Sequence, residues 1–379
     1  MKCLVLYSYP PEPDGQSMQG YSLCKGILNA GDLAIPCHFR TSVQKDFYLE
    51  HLKPDVSFGV GFWGNVPQII REPLKFGVKP VPWFNADGWV ANYQEEFNKL
   101  ELMFTTSEWV RQVYKRDGVD INKIVHMPIG IDTEMFQPTN NPDYNQYIKK
   151  IFRIKNNEKM ILTVGGDVTS KGAQEMIKAL AEVNKEFKNW KYVCKSWPSR
   201  NASMWRKQEI ELAKSLGIRD KIVFVNDSFS QEFMVHLLNA ADIYAAPSRI
   251  EGFGMIQVEA MSCGKPVISI NKMGPAETII HNKTGFLAEV SDEIKLNEEW
   301  VYRSMGYKKK GIVKFTDPKT FAYSANINDL KEYTLKLLAD DQLREKMGQQ
   351  AREHTVKNFD YNYTTKKMLD ITKEKLNLE

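Results

Sequence analysis

The stretch that decides the fold class is residues 241–268, which read ADIYAAPSRIEGFGMIQVEAMSCGKPVI. An apolar run suited to a strand leads into a glycine-flanked turn and then into a short apolar helix. Gly264 is suited to a left-handed helix end, and Pro266 prevents the helix from continuing. The next apolar run, from Val267, follows at once. A strand, a helix and a second strand in so short a space predict a parallel α/β sheet.

Two glutamates stand in this turn and helix. Glu251 precedes the predicted helix start, and Glu259 lies in its second turn among apolar side chains. A carboxylate on so apolar a helix is costly to bury unless a ligand binds it, and sugar or ribose hydroxyls would be suitable ligands. Either glutamate alone is more simply explained by the helix dipole or by solvent exposure. Both together, with Gly252 and Gly254 allowing a ligand close to backbone N–H groups, favour a binding site.

The alternation of strands and helices extends over most of the chain. The predicted strands are Cys3–Ser8, Leu33–Phe39, Val56–Phe62, Val81–Phe84, Leu102–Thr105, Lys123–Met127, Met160–Val164, Tyr192–Lys195, Ile222–Val225, Ile243–Ala246 and Val267–Ile270. The predicted helices are Gln16–Leu28, Gln68–Phe76, Trp109–Arg116, Ala173–Phe187, Met204–Leu216, Gln231–Leu238 and Gly254–Cys263. This order is typical of an α/β protein with parallel sheets covered on both faces.

The length of 379 residues favours two domains rather than one core. We predict an N-terminal domain over residues 1–140 and a C-terminal domain over residues 148–358, because the prolines and asparagines of Gln137–Tyr147 favour a linker. Residues 292–315 fit the alternation poorly and are predicted to be an insertion. A C-terminal helix at about 360–379 could pack back on the first domain. Open α/β sheets bind ligands at the carboxyl ends of their strands, so the cleft between the domains is the expected site.

The composition narrows the class of protein further. The net charge is only +4, and the basic residues are scattered, so nucleic-acid binding is not expected. No stretch approaches the ~18 apolar residues of a membrane span, and the N-terminal apolar run is too short for a secretory signal. The five widely spaced cysteines predict reduced thiols and a cytoplasmic location, and the six histidines lack metal-ligand spacing.

The deciding stretch resembles the retaining GT-B glycosyltransferases of family GT4. Their hallmark is two glutamates with seven residues between them, after Pro-Ser and before a Gly-x-Pro-Val-Ile turn, and Glu251 and Glu259 occupy the two positions. The similarity continues through GPAETI at 274–279 and NKTGFL at 282–287. The resemblance implies an α/β GT-B fold, with two Rossmann-like domains facing a central cleft. It also implies transfer of a sugar from a nucleotide-diphosphate sugar with retention of configuration, with a UDP-sugar favoured and a GDP-sugar next.

The resemblance also implies roles for single residues around the donor. The first glutamate, Glu251, would contact hydroxyls of the transferred sugar, and the second, Glu259, would bind the ribose. The backbone N–H groups of Gly252, Phe253 and Gly254 would lie near the sugar and the diphosphate.

A lysine in the loop VGGDVTSKG takes the position of the family's phosphate-binding lysine. This is Lys171, which without the family frame would be read as ordinary solvated surface. The family commonly has an arginine where Gly166 stands, so a second cation is expected from Lys195 or, more weakly, from Arg249. The base of the nucleotide is expected near Asn226.

The first half of the chain carries looser matches to the family. Gly15 stands in for a glycine-rich loop that lies against the donor phosphates, and an ordinary turn is an equally good interpretation. Asn85 or Asp87 stands where many relatives have a histidine. Asp87 could orient the acceptor or stabilise developing positive charge, but a helix N-cap or turn role is as good. Gly130 is expected to line the cleft.

Other functions and partners stay open at this point. A nucleotide-sugar binding protein that has lost catalysis is one alternative, and a GT-B phosphorylase or epimerase is another. No cofactor is expected, and no Asp-x-Asp cluster suggests a metal. The acceptor could be a glycan, a lipid or a small molecule, and the sequence leaves the oligomeric state undecided. Lys308–Lys310 and the basic C-terminal helix are candidates for peripheral contact with the inner membrane surface, although such runs are usually solvated.

Overall fold

The computed structural model describes residues 1–86, 88–139, 141–198 and 200–378, without the side chains of residues 200–202, 304 and 320. The chain forms two compact units. The first unit comprises Met1–Asp132, Lys295–Phe321 and Asn358–Glu379. The second unit comprises Thr133–Ile294 and Ala322–Lys357.

The first unit is built on a six-stranded parallel sheet. Its strands are β1 (Lys2–Tyr7), β2 (Leu33–His38), β3 (Val56–Phe62), β4 (Lys79–Asn85), β5 (Met103–Thr105) and β6 (Ile124–His126), in the order β2-β1-β3-β4-β5-β6. Its helices in this part of the chain are α1 (Gly15–Asn29), α2 (Val43–Phe47), α3 (Glu72–Lys75), α4 (Gln94–Lys99) and α5 (Glu108–Arg116), with π turns at Tyr48–Leu52 and Pro67–Arg71. The central strands β1 and β3 are almost wholly buried, as expected for a parallel sheet covered on both faces.

Close approach of α1 to the sheet depends on a glycine inside the helix. A Cβ added to Gly20 would lie 2.3 Å from the ring of Tyr7 on β1, so a larger residue there would push the helix away from the strand. The helix begins after Asp14, whose carboxylate accepts hydrogen bonds from the N–H groups of Gln16 and Ser17. Asp14 is therefore an N-cap of the usual kind.

The second unit repeats the same architecture. Its elements are α6 (Pro142–Ile151), β7 (Lys159–Gly165), α7 (Ala173–Glu186), β8 (Trp190–Ser196), α8 (Arg200–Ser215), β9 (Ile222–Asn226), α9 (Gln231–Ala240), β10 (Ile243–Ala245), α10 (Met255–Ser262), β11 (Val267–Ile270), α11 (Pro275–Thr278) and β12 (Gly285–Ala288). The six strands pair in parallel in the order β12-β11-β10-β7-β8-β9. Both sheets confirm the α/β class predicted from the deciding stretch.

The second half of the predicted linker is helical. The N-terminal end of α6 is capped by Asn141, whose side chain accepts a hydrogen bond from the N–H of Asp143, and Pro142 is the first helical residue. Asparagine followed by proline is a helix start as well as a turn signal. The asparagine and proline at 141–142 thus begin helix α6 instead of continuing an irregular linker.

The remaining elements are β13 (Val290–Leu296), β14 (Glu298–Val301), β15 (Gly311–Lys314), β16 (Thr320–Ala325), α12 (Ile327–Ala339), α13 (Asp341–Phe359) and α14 (Tyr361–Leu376). Strands β13 and β16 form one two-stranded sheet, and β14 and β15 form another. Within the first unit, α14 packs on α1 at Gly26, where an added Cβ would lie 2.3 Å from the hydroxyl of Thr365. Among the described residues, no helix combines the length and the hydropathy needed to span a bilayer.

Candidate active site

The candidate site of the second unit is formed by two loops that follow neighbouring strands. Strand β7 ends at Gly165 and leads into the loop 166–172, while β10 ends at Ala245 and leads into the loop 246–254. The two strands pair in parallel, so their carboxyl ends lie side by side. This end of an open α/β sheet is where ligands bind.

Each loop contributes one charged side chain to a close ion pair. The Lys171 Nζ atom lies 2.5 Å from Oε2 of Glu251, and both side chains are partly buried. The two residues are 80 positions apart in the chain, and the sheet topology alone brings them together. The structure therefore places the predicted phosphate-binding cation and the predicted sugar-binding carboxylate at one point.

The geometry of the lysine loop depends on a glycine at the start of α7. Gly172 has φ of +81°, and a Cβ added there would lie 2.2 Å from the carbonyl oxygen of Pro247 in the neighbouring loop. The two loops are also joined by the N–H of Arg249, which donates to the carbonyl of Ser170 at 2.9 Å. Glycine is required here both by the backbone angle and by the close approach.

Two further glycines, Gly254 and Gly274, shape the loop that carries Glu251. Gly254 has φ of +93° and caps the N-terminal end of α10. A Cβ added to Gly274 would lie 2.5 Å from Cα of Phe253, and the N–H of Gly274 donates to the carbonyl of Glu251 at 3.1 Å. The predicted backbone-binding residues Gly252, Phe253 and Gly254 thus form a buried bend held by the GPAETI segment.

The second glutamate of the pair is buried on α10. Glu259 is 6% exposed, and burial raises the pKa of its carboxyl group to about 8. Among the described residues, none is hydrogen bonded or ion paired to its side chain, and its oxygens are not among the fully enclosed atoms that lack a partner. A buried carboxyl group without a partner is costly, and such groups are concentrated at functional sites.

Lys195 and Arg249, the two candidates for a second cation, differ in whether another side chain already pairs with them. The Arg249 guanidinium is engaged by the buried carboxylate of Glu175 at 2.8 Å and by the side chain of Gln174 at 3.1 Å. Its charge is therefore already neutralised. Gly166, by contrast, has open space around it, with no atom closer than 3.8 Å to an added Cβ.

Lys195 is the better placed of the two cations. It is the penultimate residue of β8 and only 1% exposed, and burial lowers the pKa of its amine to about 8. Its Nζ lies 3.9 Å from the ring centroid of Trp197 and 5.2 Å from that of Phe229, and no ion pair to it is found within the described part of the chain. Asn226 ends the adjacent strand β9, and its side chain accepts a hydrogen bond from Ser196 at 3.3 Å.

Of the residues predicted from the first half, Gly15, Asn85 and Gly130 lie in the first unit. Gly15 is the exposed first residue of α1, beside N–H groups that Asp14 already binds. Asn85 ends β4, and its side chain accepts a hydrogen bond from Thr106 at 3.1 Å. Asp87 lies outside the described residues.

Gly130 has a structural role within the first unit. A Cβ added to it would lie 2.3 Å from the hydroxyl of Thr364 and 2.4 Å from Cα of Tyr361, at the start of α14. This packing accounts for the glycine without any ligand. The expectation that Gly130 lines a binding cleft stays a prediction.

Sequence reasoning missed two buried carboxylates that support the loops. Glu209 on α8 is fully buried and accepts a hydrogen bond from Thr169 in the lysine loop, and burial raises the pKa of its carboxyl group. Glu175 on α7 holds Arg249. Both glutamates lie near apolar residues of their helices, as Glu259 does, and this pattern could have predicted their burial. In the described ranges, no group of three or more His, Cys, Asp or Glu residues could hold a metal ion.

Comparison with solved structures places the chain in a known fold. A sucrose-phosphate synthase from Thermosynechococcus elongatus matches with a TM-score of 0.73, at 16% identity over 99% of both chains. A glycosyltransferase from Rickettsia africae matches with 0.75, at 18% identity over 99% of this chain and 98% of the other. HepE from Anabaena, in complex with UDP and glucose, also matches with 0.75, at 14% identity over 99% and 100%. The chain has the GT-B fold of glycosyltransferases.

Sequence comparison finds similarity mainly in the second unit. Residues 145–300 match the profile of the family described as glycosyl transferases group 1. A GDP-mannose-dependent phosphatidylinositol monomannoside mannosyltransferase from Mycolicibacterium smegmatis is 26% identical over 202 residues, which cover 52% of this chain and 50% of the relative. An N-acetylglucosaminyl L-malate synthase from Bacillus anthracis is 24% identical over 212 residues, 56% of this chain and 44% of the relative. The chain thus aligns with about half the length of these curated relatives, and its residues 145–300 are similar to the glycosyl transferases group 1 family.

Proposed function

We propose that this protein transfers a hexosyl group from a nucleotide-diphosphate sugar to a hydroxyl group of an acceptor, with retention of the anomeric configuration. The observation that carries the proposal is the contact of 2.5 Å between Lys171 and Glu251, on a unit where Glu259 is buried without a partner. A cation for the diphosphate and two carboxylates for hydroxyl groups are the groups that such a donor needs.

Lys171 stabilises the departing diphosphate electrostatically. Its side chain projects from a loop whose backbone is held by Gly172 and by the hydrogen bond from the N–H of Arg249 to the carbonyl of Ser170. A charge held in place before the reaction acts on the transition state without reorganisation, which is the most effective form of electrostatic catalysis. Lys195 supplies a second positive charge while its amine is protonated.

Glu251 and Glu259 bind hydroxyl groups of the donor. Glu251 accepts hydrogen bonds from the transferred sugar and also from Lys171. Glu259, with a pKa of about 8, is protonated at neutral pH in the empty site and can both donate to and accept from a ribose diol. Binding of the donor replaces the missing partners of this buried group.

The reaction breaks the bond between the anomeric carbon and the diphosphate oxygen and forms a bond from the acceptor oxygen to the same face of that carbon. The transition state has oxocarbenium character. The acceptor proton passes to a phosphate oxygen of the leaving diphosphate, so the nucleotide diphosphate leaves with that proton. Neither a side-chain base nor a metal ion is required in this scheme.

The donor is a UDP-sugar or a GDP-sugar. UDP-sugars are common donors among enzymes that the deciding stretch resembles, and a relative named as GDP-mannose-dependent keeps the second nucleotide in the proposal. The acceptor is a glycan, a lipid or a small molecule. The names of the relatives include both a phosphatidylinositol mannoside and L-malate as acceptors.

A second candidate is a nucleotide-sugar binding protein without turnover. Two observations favour it: Gly166 offers no charge, and Arg249 is already neutralised by Glu175. Both functions require donor binding, and they differ in whether the sugar is released.

The test has two stages. In the first, thermal unfolding is measured with UDP-, GDP- and ADP-sugars for the wild type, for Lys171→Gln and for Lys185→Gln, an exposed lysine whose change is a matched control. A donor at 100 times its Kd stabilises by about 2.7 kcal/mol. We expect this for the wild type and the control but not for Lys171→Gln, and stabilisation by none of the donors would refute the proposal.

The second stage measures turnover with the donor that binds. A donor labelled in the sugar is incubated with sugar, lipid and small-molecule acceptors, with and without a metal chelator, and the anomer of the product is read by NMR. Transfer with a retained anomer supports the proposal. Binding without release of labelled sugar supports the second candidate, and an inverted anomer rules out the same-face reaction.

A further inference from the structure

A small hairpin of the first unit has one face packed on the protein. The strands β14 and β15 pair in antiparallel register within Lys295–Phe321, which we call the basic hairpin. Val301 is buried on the inner face. Just after β15, the ring of Phe315 lies 4.6 Å from that of Trp89, edge to face. These contacts anchor the hairpin on the first unit.

The outer face of the basic hairpin exposes large apolar side chains. Trp300 and Ile312 are directly opposite each other in the register and are 50% and 45% exposed. Tyr302, two residues after Trp300, is 41% exposed. Exposed apolar side chains that lie together are candidates for an interaction surface.

Positive charge surrounds this apolar patch. The basic hairpin contains seven lysine and arginine residues and three aspartate and glutamate residues, a net charge of +4 that equals the net charge of the whole chain. Lys310 lies over the rings of both Trp300 and Tyr302, with its Nζ 5.4 Å from each centroid. Lys308 and Lys309 precede it and are exposed.

We propose that the outer face of the basic hairpin docks on an anionic lipid surface. Tryptophan and tyrosine prefer the boundary between headgroups and acyl chains, where one end of the side chain is apolar and the other is wet. Each lysine near an anionic membrane surface contributes about 1 kcal/mol of attraction. The patch combines the aromatic side chains with positive charge, because Lys310 lies over both rings and Lys308 and Lys309 directly precede it in the chain. The contact is peripheral and does not depend on the proposed transfer reaction.

The test is sedimentation of the full chain with vesicles. Vesicles of phosphatidylcholine alone are compared with vesicles containing phosphatidylglycerol, at low and high salt. We expect binding only to the anionic vesicles and its weakening at high salt. The triple variant K308Q/K309Q/K310Q should partition about 100-fold more weakly, since about 1 kcal/mol per lysine is about fivefold each. The triple arginine variant at the same positions keeps the charge and should bind like the wild type.

The apolar part of the contact is tested separately. Trp300→Ala should weaken binding roughly tenfold or more, as expected for loss of a buried aromatic ring, while Trp300→Phe should retain most of it. A control on α6, Tyr147→Ala with Lys150→Gln, removes an exposed aromatic and a lysine elsewhere and should bind normally. Equal binding to neutral and anionic vesicles, equal loss in the control, or binding to a soluble polyanion but not to vesicles would overturn the proposal. Circular dichroism and thermal unfolding report whether each variant is folded.

Discussion

Replacing Glu259 by glutamine should stabilise the empty protein while weakening donor binding. Burial is the cause of the raised pKa of this carboxyl group, which is about 8 instead of its ordinary value of 4.5. The folded protein therefore holds a proton on Glu259 over a pH range in which the unfolded chain has lost it. Stability linked to this group is fully present below about pH 4.5 and is lost as the pH rises towards 8.

The size of the effect follows from the same shift. Each pKa unit corresponds to about 1.4 kcal/mol, so the wild type loses at most roughly 5 kcal/mol between the two pKa values. Glutamine has the same shape and no charge, and Glu259→Gln should lose none of this stability. The variant should therefore gain on the wild type steadily between about pH 5 and pH 8. Glutamine replaces the carboxyl hydroxyl, which can both donate and accept, by an amide NH2 group that only donates, so donor affinity should fall by about 0.5–1.5 kcal/mol, or roughly 2- to 12-fold.

The assay is urea unfolding at several pH values, paired with calorimetric titration of the donor. Glu182→Gln is the matched control, because Glu182 is exposed and pairs with Lys185 on the surface of α7. It should show no such pH trend and unchanged donor affinity. A stability difference between Glu259→Gln and the wild type that stays flat from pH 5 to pH 9 would refute the burial argument. Unchanged donor affinity would refute the ribose role.

Three further predictions concern the loops. Lys171→Gln should lower kcat by roughly 100-fold. Lys171→Arg should recover part of this loss, because the positive charge opposite Glu251 is kept. Equal rates for the two variants in steady-state assays would contradict the electrostatic role. Donor affinity of the wild type should fall as the pH rises through about 8, where Lys195 loses its proton. Calorimetry should find a smaller step in Lys195→Gln, in which Glu259 still titrates near the same pH. Arg249→Gln should lower the free energy of unfolding by roughly 3 kcal/mol, because it leaves the carboxylate of Glu175 buried and unpaired; a normal urea midpoint would show that the pair contributes little.

Much of the sheet architecture could be predicted because its strands are continuous apolar runs. Strand β3 was predicted with its observed bounds, Val56–Phe62, since all of its residues but the last are buried and apolar or small. The meeting of Lys171 with Glu251 also follows from pattern, because both residues come after strands of one parallel sheet. Local sequence predicts an element well where that element is a continuous apolar run or a regular alternation of strand and helix.

Features that depend on distant packing could not be predicted. Arg249 looked like a free cation, and only the fold places Glu175 beside it, 74 positions earlier in the chain. Gly130 was predicted to line the cleft, and its close packing against α14, more than 200 residues later, could not be predicted from the local sequence. For the basic hairpin, the sequence predicted only an insertion in the alternation of strands and helices and an exposed run of lysines. Its antiparallel register, which pairs Trp300 with Ile312, is set by the fold.

The ion pair between Lys171 and Glu251 also shapes which anions the empty loops attract. With its ammonium already matched by a carboxylate, the point where the two loops meet is close to electrically neutral, and free phosphate gains little by arriving there. A nucleotide diphosphate without its sugar would attract the Lys171 ammonium away from Glu251 but would offer no hydroxyl group to hydrogen bond to the Glu251 carboxylate. Under the proposed function, only the complete donor would interact favourably with both side chains, so the nucleotide diphosphate should dissociate readily after the sugar has been transferred.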